Sequence, residues 1–159
     1  MSRESKEELI AGLIAAYRAN TSQEGAFDAL AAERLGLSLT DLRCLDLVQA
    51  SGGMTAGELA RGSGLTTGAV TAVIDRLEQA GFVRRLRDDS DRRKVNVEVT
   101  PRHYEEAGKV WGPLMADWQK TLASRFTADE LRVITDFLRS ATELGERHAE
   151  RINPEDRPA

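Results

Sequence analysis

The chain has 159 residues, about the length of one domain and enough to bury a hydrophobic core without support from disulfides or a metal. Its 22 basic and 26 acidic residues leave a net charge of −4, so no global positive field attracts nucleic acid or membranes. Cys44 is the single cysteine and cannot form an intrachain disulfide, and His103 and His148 lack zinc-finger spacing. These counts exclude a disulfide-stapled domain and a structural zinc domain, and they indicate no cofactor and no metal.

The sequence shows no targeting or membrane-spanning segment. The first ten residues, MSRESKEELI, carry acids and bases where a signal peptide needs an apolar core. The longest uncharged stretch, residues 62–74, has 13 residues, whereas a membrane-spanning helix needs about 20. We therefore expect a cytoplasmic protein that does not contact membranes.

The charge is distributed unevenly along the chain. Residues 81–100 contain six basic and four acidic residues, whereas residues 1–38, 39–80 and 101–159 each contain two more acidic than basic residues. Two explanations are open: a charged hairpin that protects an edge strand from aggregation, or a local surface that binds a polyanion. The neighbouring elements favour the second. The basic residues of this segment are Arg84, Arg85, Arg87, Arg92, Arg93 and Lys94.

The N-terminal part has helical periodicity. Two helices are predicted before Gly36, which suits a helix end, and a third is closed by the turn residues 51–53. Their apolar stripes are Leu9, Ile10, Leu13, Ile14 and Tyr17 in the first, Phe27, Leu30, Ala31 and Leu35 in the second, and Leu42, Leu45, Leu47 and Val48 in the third.

Residues 54–77 have the pattern of a helix-turn-helix. Thr55 can cap a short helix, residues 62–64 interrupt it with two glycines, and Thr66 can cap a longer helix that ends near Gly81. The longer helix has apolar residues at i, i+3, i+4 and i+7, which predicts one buried face. These residues are Val70, Val73, Ile74 and Leu77.

The period changes to two after Gly81. Residues 82–87 and 95–99 are predicted as paired strands, and the turn-forming residues between them carry part of the basic excess. A strand-loop-strand directly after a helix-turn-helix is a winged helix. This placement favours a nucleic-acid surface over a merely charged hairpin.

Two long helices are predicted at the C-terminal end. Thr100 and Pro101 suit the start of the first, and Thr127 with Glu130 suits a capping box at the start of the second. The apolar residues are Ala107, Val110, Trp111, Leu114, Trp118 and Leu122 in the first and Leu131, Ile134, Phe137, Leu138, Ala141 and Leu144 in the second. The predicted fold class is mainly α with a small two- or three-stranded β-wing.

Residues 54–100 resemble the winged-helix signature of the MarR family of bacterial transcription regulators. The matching motifs are Glu58-Leu59-Ala60, Gly64-Leu65, Val70, Asp75-Arg76-Leu77-Glu78, Gly81-Phe82-Val83-Arg84-Arg85, Asp91-Arg92-Arg93 and Thr100. The resemblance implies a homodimer that binds a palindromic operator in double-stranded DNA, with repression as the favoured outcome. It also implies that a small-molecule effector, of identity not given by the sequence, or an oxidant releases the DNA.

These patterns divide the chain into four parts. Residues 1–36 and 101–152 hold helices for dimerisation, residues 37–100 form the DNA-binding domain, and residues 153–159 form a frayed tail. The wide apolar stripe of the last helix needs a partner, and a second copy of the chain is the simplest one. The predicted dimerisation residues are Leu9, Leu13, Leu131, Ile134, Leu138 and Leu144.

The DNA-contacting residues follow from the buried face of the second helix and from the resemblance. At 100° per residue, the outward face holds Gly68, Thr71, Ala72, Asp75 and Gln79. Thr66 and Thr67 open the helix, where either a phosphate contact or capping alone explains them. Arg76 lies at the side and either contacts the DNA backbone or pairs with an acid.

In the wing, the resemblance places Arg93 in the minor groove, with Asp91 orienting its guanidinium. An arginine suits that site because a narrow minor groove has an enhanced negative potential. Arg87, Arg92 and Lys94 would contact phosphates, each releasing about one counterion.

Other interpretations are weaker. A winged helix that binds protein instead of DNA is the main alternative, and an enzyme is disfavoured because no Ser/His/Asp set or phosphate-loop lysine is present. Cys44 is either a peroxide sensor or, as its apolar neighbours favour, a buried thiol. The aromatic residues Tyr17, Trp111 and Trp118 line an effector pocket or, more simply, the core. His103 and His148 are predicted to be polar surface residues.

Overall fold

In the computed structural model, residues 4–87 and 95–152 are described. They form six helices and a three-stranded sheet, which confirms the predicted fold class. The elements in chain order are α1 (Lys6–Leu35), α2 (Leu39–Ser51), β1 (Met54–Thr55), α3 (Ala56–Ser63), α4 (Thr67–Gln79), β2 (Val83–Arg87), β3 (Val95–Val99), α5 (Pro101–Arg125) and α6 (Ala128–Ile152). Among these helices, none is long and apolar enough to cross a membrane.

The prediction of two helices before Gly36 is wrong, because α1 is continuous over 30 residues. The polar stretch between the two apolar stripes supports the helix instead of ending it. The Thr21 hydroxyl donates to the carbonyl of Tyr17 at 3.0 Å, and the Asn20 amide donates to the Glu24 carboxylate at 2.8 Å. The predicted end is confirmed, since Gly36 caps the helix in the left-handed conformation with φ 70°.

The predicted helix starts are confirmed by their side-chain hydrogen bonds. Thr55 and Glu58 form a capping box at α3, and Thr127 and Glu130 form one before α6. Thr66 accepts a hydrogen bond from the backbone N–H of Ala69 at 3.3 Å and so caps α4.

The sheet has the strand order β1-β3-β2, and both pairings are antiparallel. Val83 lies opposite Val99, and Arg85 lies opposite Val97. At the base of the hairpin, the backbone N–H of Thr100 donates to the carbonyl of Phe82 at 2.9 Å, and the Thr100 hydroxyl donates to the carbonyl of Gly81 at 2.7 Å. These bonds fix the direction in which the hairpin leaves α4.

The chain divides into two compact units, residues 1–110 and 111–159. In the first unit, one apolar cluster joins α2, α3, α4 and the sheet, and α4 buries the face that its periodicity predicts. Each fully buried Leu, Ile or Val contributes about 1.5–3 kcal/mol relative to an exposed one. The core holds α4 against the base of the hairpin. Its buried members are Cys44, Leu45, Val48, Leu59, Val70, Val73, Ile74, Leu77, Phe82, Val83 and Val97.

His103 is buried, so its prediction as a surface residue is wrong, whereas His148 is exposed as expected. The His103 ring lies near Gln49, with Nε2 at the amide oxygen, and meets the Phe82 ring edge-on at 6.3 Å. Burial lowers the pKa of His103. The sequence could not show this, because the buried contacts come from α2 and from the turn before β2.

Candidate DNA-binding surface

The N-terminal half of helix α4 presents a solvent-exposed face of small and weakly polar side chains opposite its buried stripe, and the acids Asp75 and Glu78 follow in its C-terminal half. A helix with this outward face can approach base edges closely in the major groove. The predicted DNA-contacting residues on it are all exposed. They are Thr66, Thr67, Gly68, Thr71, Ala72, Arg76 and Gln79.

The first turn of α4 is suited to an anion. It contains no acidic residue, and backbone N–H groups at a helix start lack intrahelical acceptors. A Cβ added at Gly68 would meet no atom within 4 Å, so the backbone there is open to solvent. The Thr71 hydroxyl donates to the carbonyl of Thr67 at 3.0 Å, which leaves its oxygen lone pairs available to accept.

Arg76 pairs with an acid, one of the two alternatives left open by the sequence. Its Nε lies 3.2 Å from both carboxylate oxygens of Asp41, and its Nη2 lies 2.6 Å from Oδ1. Asp41 also accepts from the hydroxyl and backbone N–H of Ser38. The Arg76 side chain stays 52% exposed, so the pair orients a cation beside the outward face of α4.

The charge of Asp41 is favoured in the folded state. Burial would raise its pKa, but hydrogen bonds from Arg76 and Ser38 outweigh that effect and lower the pKa below its usual value. Because the pKa of Asp41 is lower in the folded than in the unfolded state, its ionised form stabilises the fold at pH values above the unfolded-state pKa. This stabilisation is lost as the pH falls through the folded-state pKa.

We expect Asp41→Asn to lower the free energy of unfolding at neutral pH by about 1–2 kcal/mol, because it breaks a half-exposed ion pair and weakens a cap. Urea denaturation across acidic pH should show the wild type and the variant converging as Asp41 protonates. The control is Asp136→Asn, which removes an exposed intrahelical pair with Arg139 on α6 and should change little. A constant difference down to strongly acidic pH would contradict the assignment.

A second set of ion pairs joins β2 to α4. Arg85 contacts Asp75 through Nη2 at 2.5 Å and Glu78 through Nη1, and its backbone N–H donates to Glu78 at 3.2 Å. On the other face of the strand, Arg84 pairs with Glu98 of β3 at 3.5 Å. Sequence reasoning missed the contact of Arg85 with the helix. The signal for it is the strand period, which puts Arg85 on the same face as the buried Val83.

The wing contacts implied by the resemblance fall largely outside the described residues. Asp91, Arg92, Arg93 and Lys94 are not among them, and Arg87 is described only as the last residue of β2. Their roles stay predictions from the sequence.

Cys44 is buried, which confirms the favoured interpretation. Burial raises the pKa of its thiol, and a hydrogen bond with Ser63 offsets only part of that rise. A protonated thiol is a poor nucleophile, which disfavours a peroxide sensor.

A cavity of about 530 Å³ borders Cys44. It is lined by α2 and by the end of α3 with the turn after it, and its residues include Thr40, Arg43, Leu47 and Leu65.

The aromatic side chains predicted as core or pocket residues are not fully buried in the single chain. Trp118 and Tyr17 are exposed, and Trp111 is only half-buried. The cavity beside Cys44 is lined by other residues. The core interpretation is therefore wrong for Trp118 and Tyr17 in one protomer, because helical spacing predicts an apolar face but does not say what covers it.

Comparisons with known proteins give the family. The family model described as MarR matches residues 37–95. The uncharacterized HTH-type transcriptional regulator YcgE of Bacillus subtilis is 36% identical over 151 residues, covering 95% of this chain and 97% of that protein. The chain belongs to the MarR family. This membership makes it a DNA-binding transcription regulator and not an enzyme.

Two further known proteins are similar to this chain. The HTH-type transcriptional repressor Rv2887 of Mycobacterium tuberculosis is 33% identical over 111 residues, covering 70% of this chain and 77% of that protein. A crystal structure of a mutant MarR from E. coli, complexed with operator DNA, covers 87% of this chain and 99% of its own, with a TM-score of 0.53 and 21% identity. This last likeness shows the fold.

Proposed function

We propose that this MarR-family regulator binds a palindromic operator as a homodimer and represses transcription. In each subunit α4 enters the major groove and the basic wing contacts the adjacent minor groove through Arg93. The observation that carries the proposal is the exposed, small-residue face of α4 beside the first strand of the basic hairpin. Paired recognition helices of a two-fold dimer read half-sites about 10 base pairs apart, or a multiple of that spacing.

The homodimer is supported by apolar residues that a single chain leaves uncovered. On α1, Leu9 and Leu13 are exposed, and on α6, Leu138 and Leu144 are exposed. Leu131 and Ile134 of α6 are half-buried. An apolar stripe along a surface helix marks an interaction face, and in a symmetric dimer the same stripe on a second copy covers it.

Repression and its release complete the proposal. A dimer that occupies a promoter blocks transcription, and one of the similar proteins is named a transcriptional repressor. The cavity beside Cys44 has the size of a small-molecule site and borders the helix-turn-helix. We propose it as the place where an effector would bind and weaken operator binding.

The function is tested by selection of DNA from a random-sequence pool. The wild-type protein should enrich a palindromic duplex, called the selected duplex below, and should bind it at least about 1,000-fold more tightly than a scrambled duplex at physiological salt. Enrichment of no sequence, together with capture of a protein by the same domain, would instead support the protein-binding winged helix.

Operator binding should weaken steeply with added salt despite the net charge of −4. Each phosphate neutralised by a wing cation releases about one counterion, so a dimer making six or more such contacts loses about 1,000-fold in affinity between 50 and 200 mM salt. Fluorescence anisotropy of the selected duplex over this range measures the slope. A flat response would contradict the basic wing as the anchor.

A further inference from the structure

Arg85 connects the recognition helix to the wing. Its guanidinium contacts Asp75 and Glu78, which lie three residues apart and therefore on one side of α4. The backbone N–H of Arg85 donates to the same Glu78 carboxylate at 3.2 Å. One residue of β2 is thus attached to α4 by both its side chain and its backbone.

The register of the sheet explains this reach. Arg85 lies opposite the buried Val97 and two residues after the buried Val83, so all three share the face that packs on the core. Arg84 lies on the other face and pairs with Glu98 across the hairpin. The two arginines are neighbours in sequence, but only Arg85 holds the helix.

Stability alone does not account for these contacts. Asp75 is 61% exposed, and exposed ion pairs contribute little to folding, whereas the apolar core already joins α4 to the base of the sheet. The contacts lie at the middle of β2, opposite Val97, at the outer edge of the core, because Val95 further along the same face of β3 is 41% exposed. They therefore act on the angle between the hairpin and α4 more than on the fold.

We propose that Arg85, Asp75 and Glu78 form a clamp that fixes the wing relative to α4 and thereby sharpens operator specificity. This inference rests on the proposed function, since it assumes that α4 and the wing contact the same duplex. Arg85 is a positioning residue in this proposal. Arg85 holds α4 and the wing at a fixed distance from each other. Only a duplex whose major and minor grooves match that distance can then contact both elements.

For removal of the two acids, the clamp predicts a change in affinity for the selected duplex opposite to the change that charge alone predicts. Removing the two acids makes the surface around α4 less negative, which by charge alone strengthens binding to every duplex. If the acids hold Arg85 in place, their removal instead releases the wing from α4. Affinity for the selected duplex then falls, while affinity for a scrambled duplex stays equal or increases.

The test compares Asp75→Asn/Glu78→Gln with the wild type in anisotropy titrations of the selected and scrambled duplexes. We expect the ratio of the two affinities to fall about tenfold, the size of the loss caused by one mismatched base pair. Arg85→Met should lower the ratio similarly while leaving both acids in place. This second variant distinguishes the clamp from a direct base contact by Asp75. Arg85→Met keeps Asp75, so a direct base contact would keep the ratio of affinities. Repulsion between the DNA and the two acids left without Arg85 would weaken binding of both duplexes by the same factor.

The matched control is Glu98→Gln, which removes the acid that pairs with Arg84 on the opposite face of the same hairpin. It should shift both affinities together and keep their ratio. Thermal unfolding should show that all variants remain folded.

An unchanged ratio in the double variant or in Arg85→Met, with the wild type still discriminating, would overturn the clamp alone. A wild type that shows no preference between the duplexes would overturn the proposed function itself.

Discussion

Arg93→Ala is expected to lower affinity for the selected duplex by about 100-fold without unfolding the protein, because the variant loses a minor-groove arginine from both subunits of the dimer. A narrow minor groove concentrates negative potential, so the loss should be largest for A·T-rich flanks. Among the described residues, the buried core consists of apolar side chains from α2, α3, α4 and the sheet, so we expect the loss of one charged side chain to leave that core intact. Anisotropy titrations measure the affinity, and circular dichroism with thermal unfolding checks the fold.

Arg84→Ala is the matched control for this variant. It removes the same charge from the first strand of the hairpin, where Arg84 pairs with Glu98 and has no contact with α4 among those described. We expect its affinity for the selected duplex to fall by no more than about fivefold, which is the contribution of one ordinary phosphate contact. Equal losses in the two variants would show that only total charge matters, and full affinity in Arg93→Ala would remove Arg93 from the interface.

Leu138→Asp is expected to dissociate the dimer and to reduce operator binding to the non-specific level, about 1,000-fold or more weaker. Leu138 lies on the apolar stripe of α6 and is 49% exposed in the single chain, so the substitution places a charge in the proposed interface without disturbing a buried core. A monomer contacts one half-site and loses the contribution of the other. Analytical ultracentrifugation gives the oligomeric state, and anisotropy gives the affinity.

Val133→Asp provides the comparison on the same helix. Val133 is 70% exposed and lies off the stripe formed by Leu131, Ile134 and Leu138, so this variant introduces the same charge outside the proposed interface. It should remain dimeric and bind the selected duplex normally. A dimeric Leu138→Asp, or dissociation of both variants alike, would contradict the proposed dimer face.

Local patterns predicted the helix-turn-helix in detail. The spacing of Val70, Val73, Ile74 and Leu77 identified the buried face of α4, and Thr66 was identified as its cap. These features depend on residues within one or two turns of each other, so periodicity and capping chemistry are sufficient to find them.

Local patterns do not reveal contacts whose partners are distant in sequence. They predict His103 on the surface, because its buried contact, Gln49, is 54 residues away. For Arg76 they leave two alternatives open, because its partner Asp41 is 35 residues away. Within α1, the polar stretch between the apolar stripes resembles a break and predicts two helices, whereas Asn20 and Thr21 form hydrogen bonds within one continuous helix.

The sequence by itself determined the fold class, the family resemblance and the outward face of the recognition helix, because each follows from short-range periodicity or from a contiguous motif. Only the tertiary structure decided which charges are paired. Arg84 and Arg85 are adjacent and identical in type, yet one spans the hairpin to Glu98 and the other reaches Asp75 and Glu78 on α4. Strand register and helix packing determine which partner each arginine contacts. The register and the packing are in turn set by the burial of a core whose residues come from distant segments of the chain.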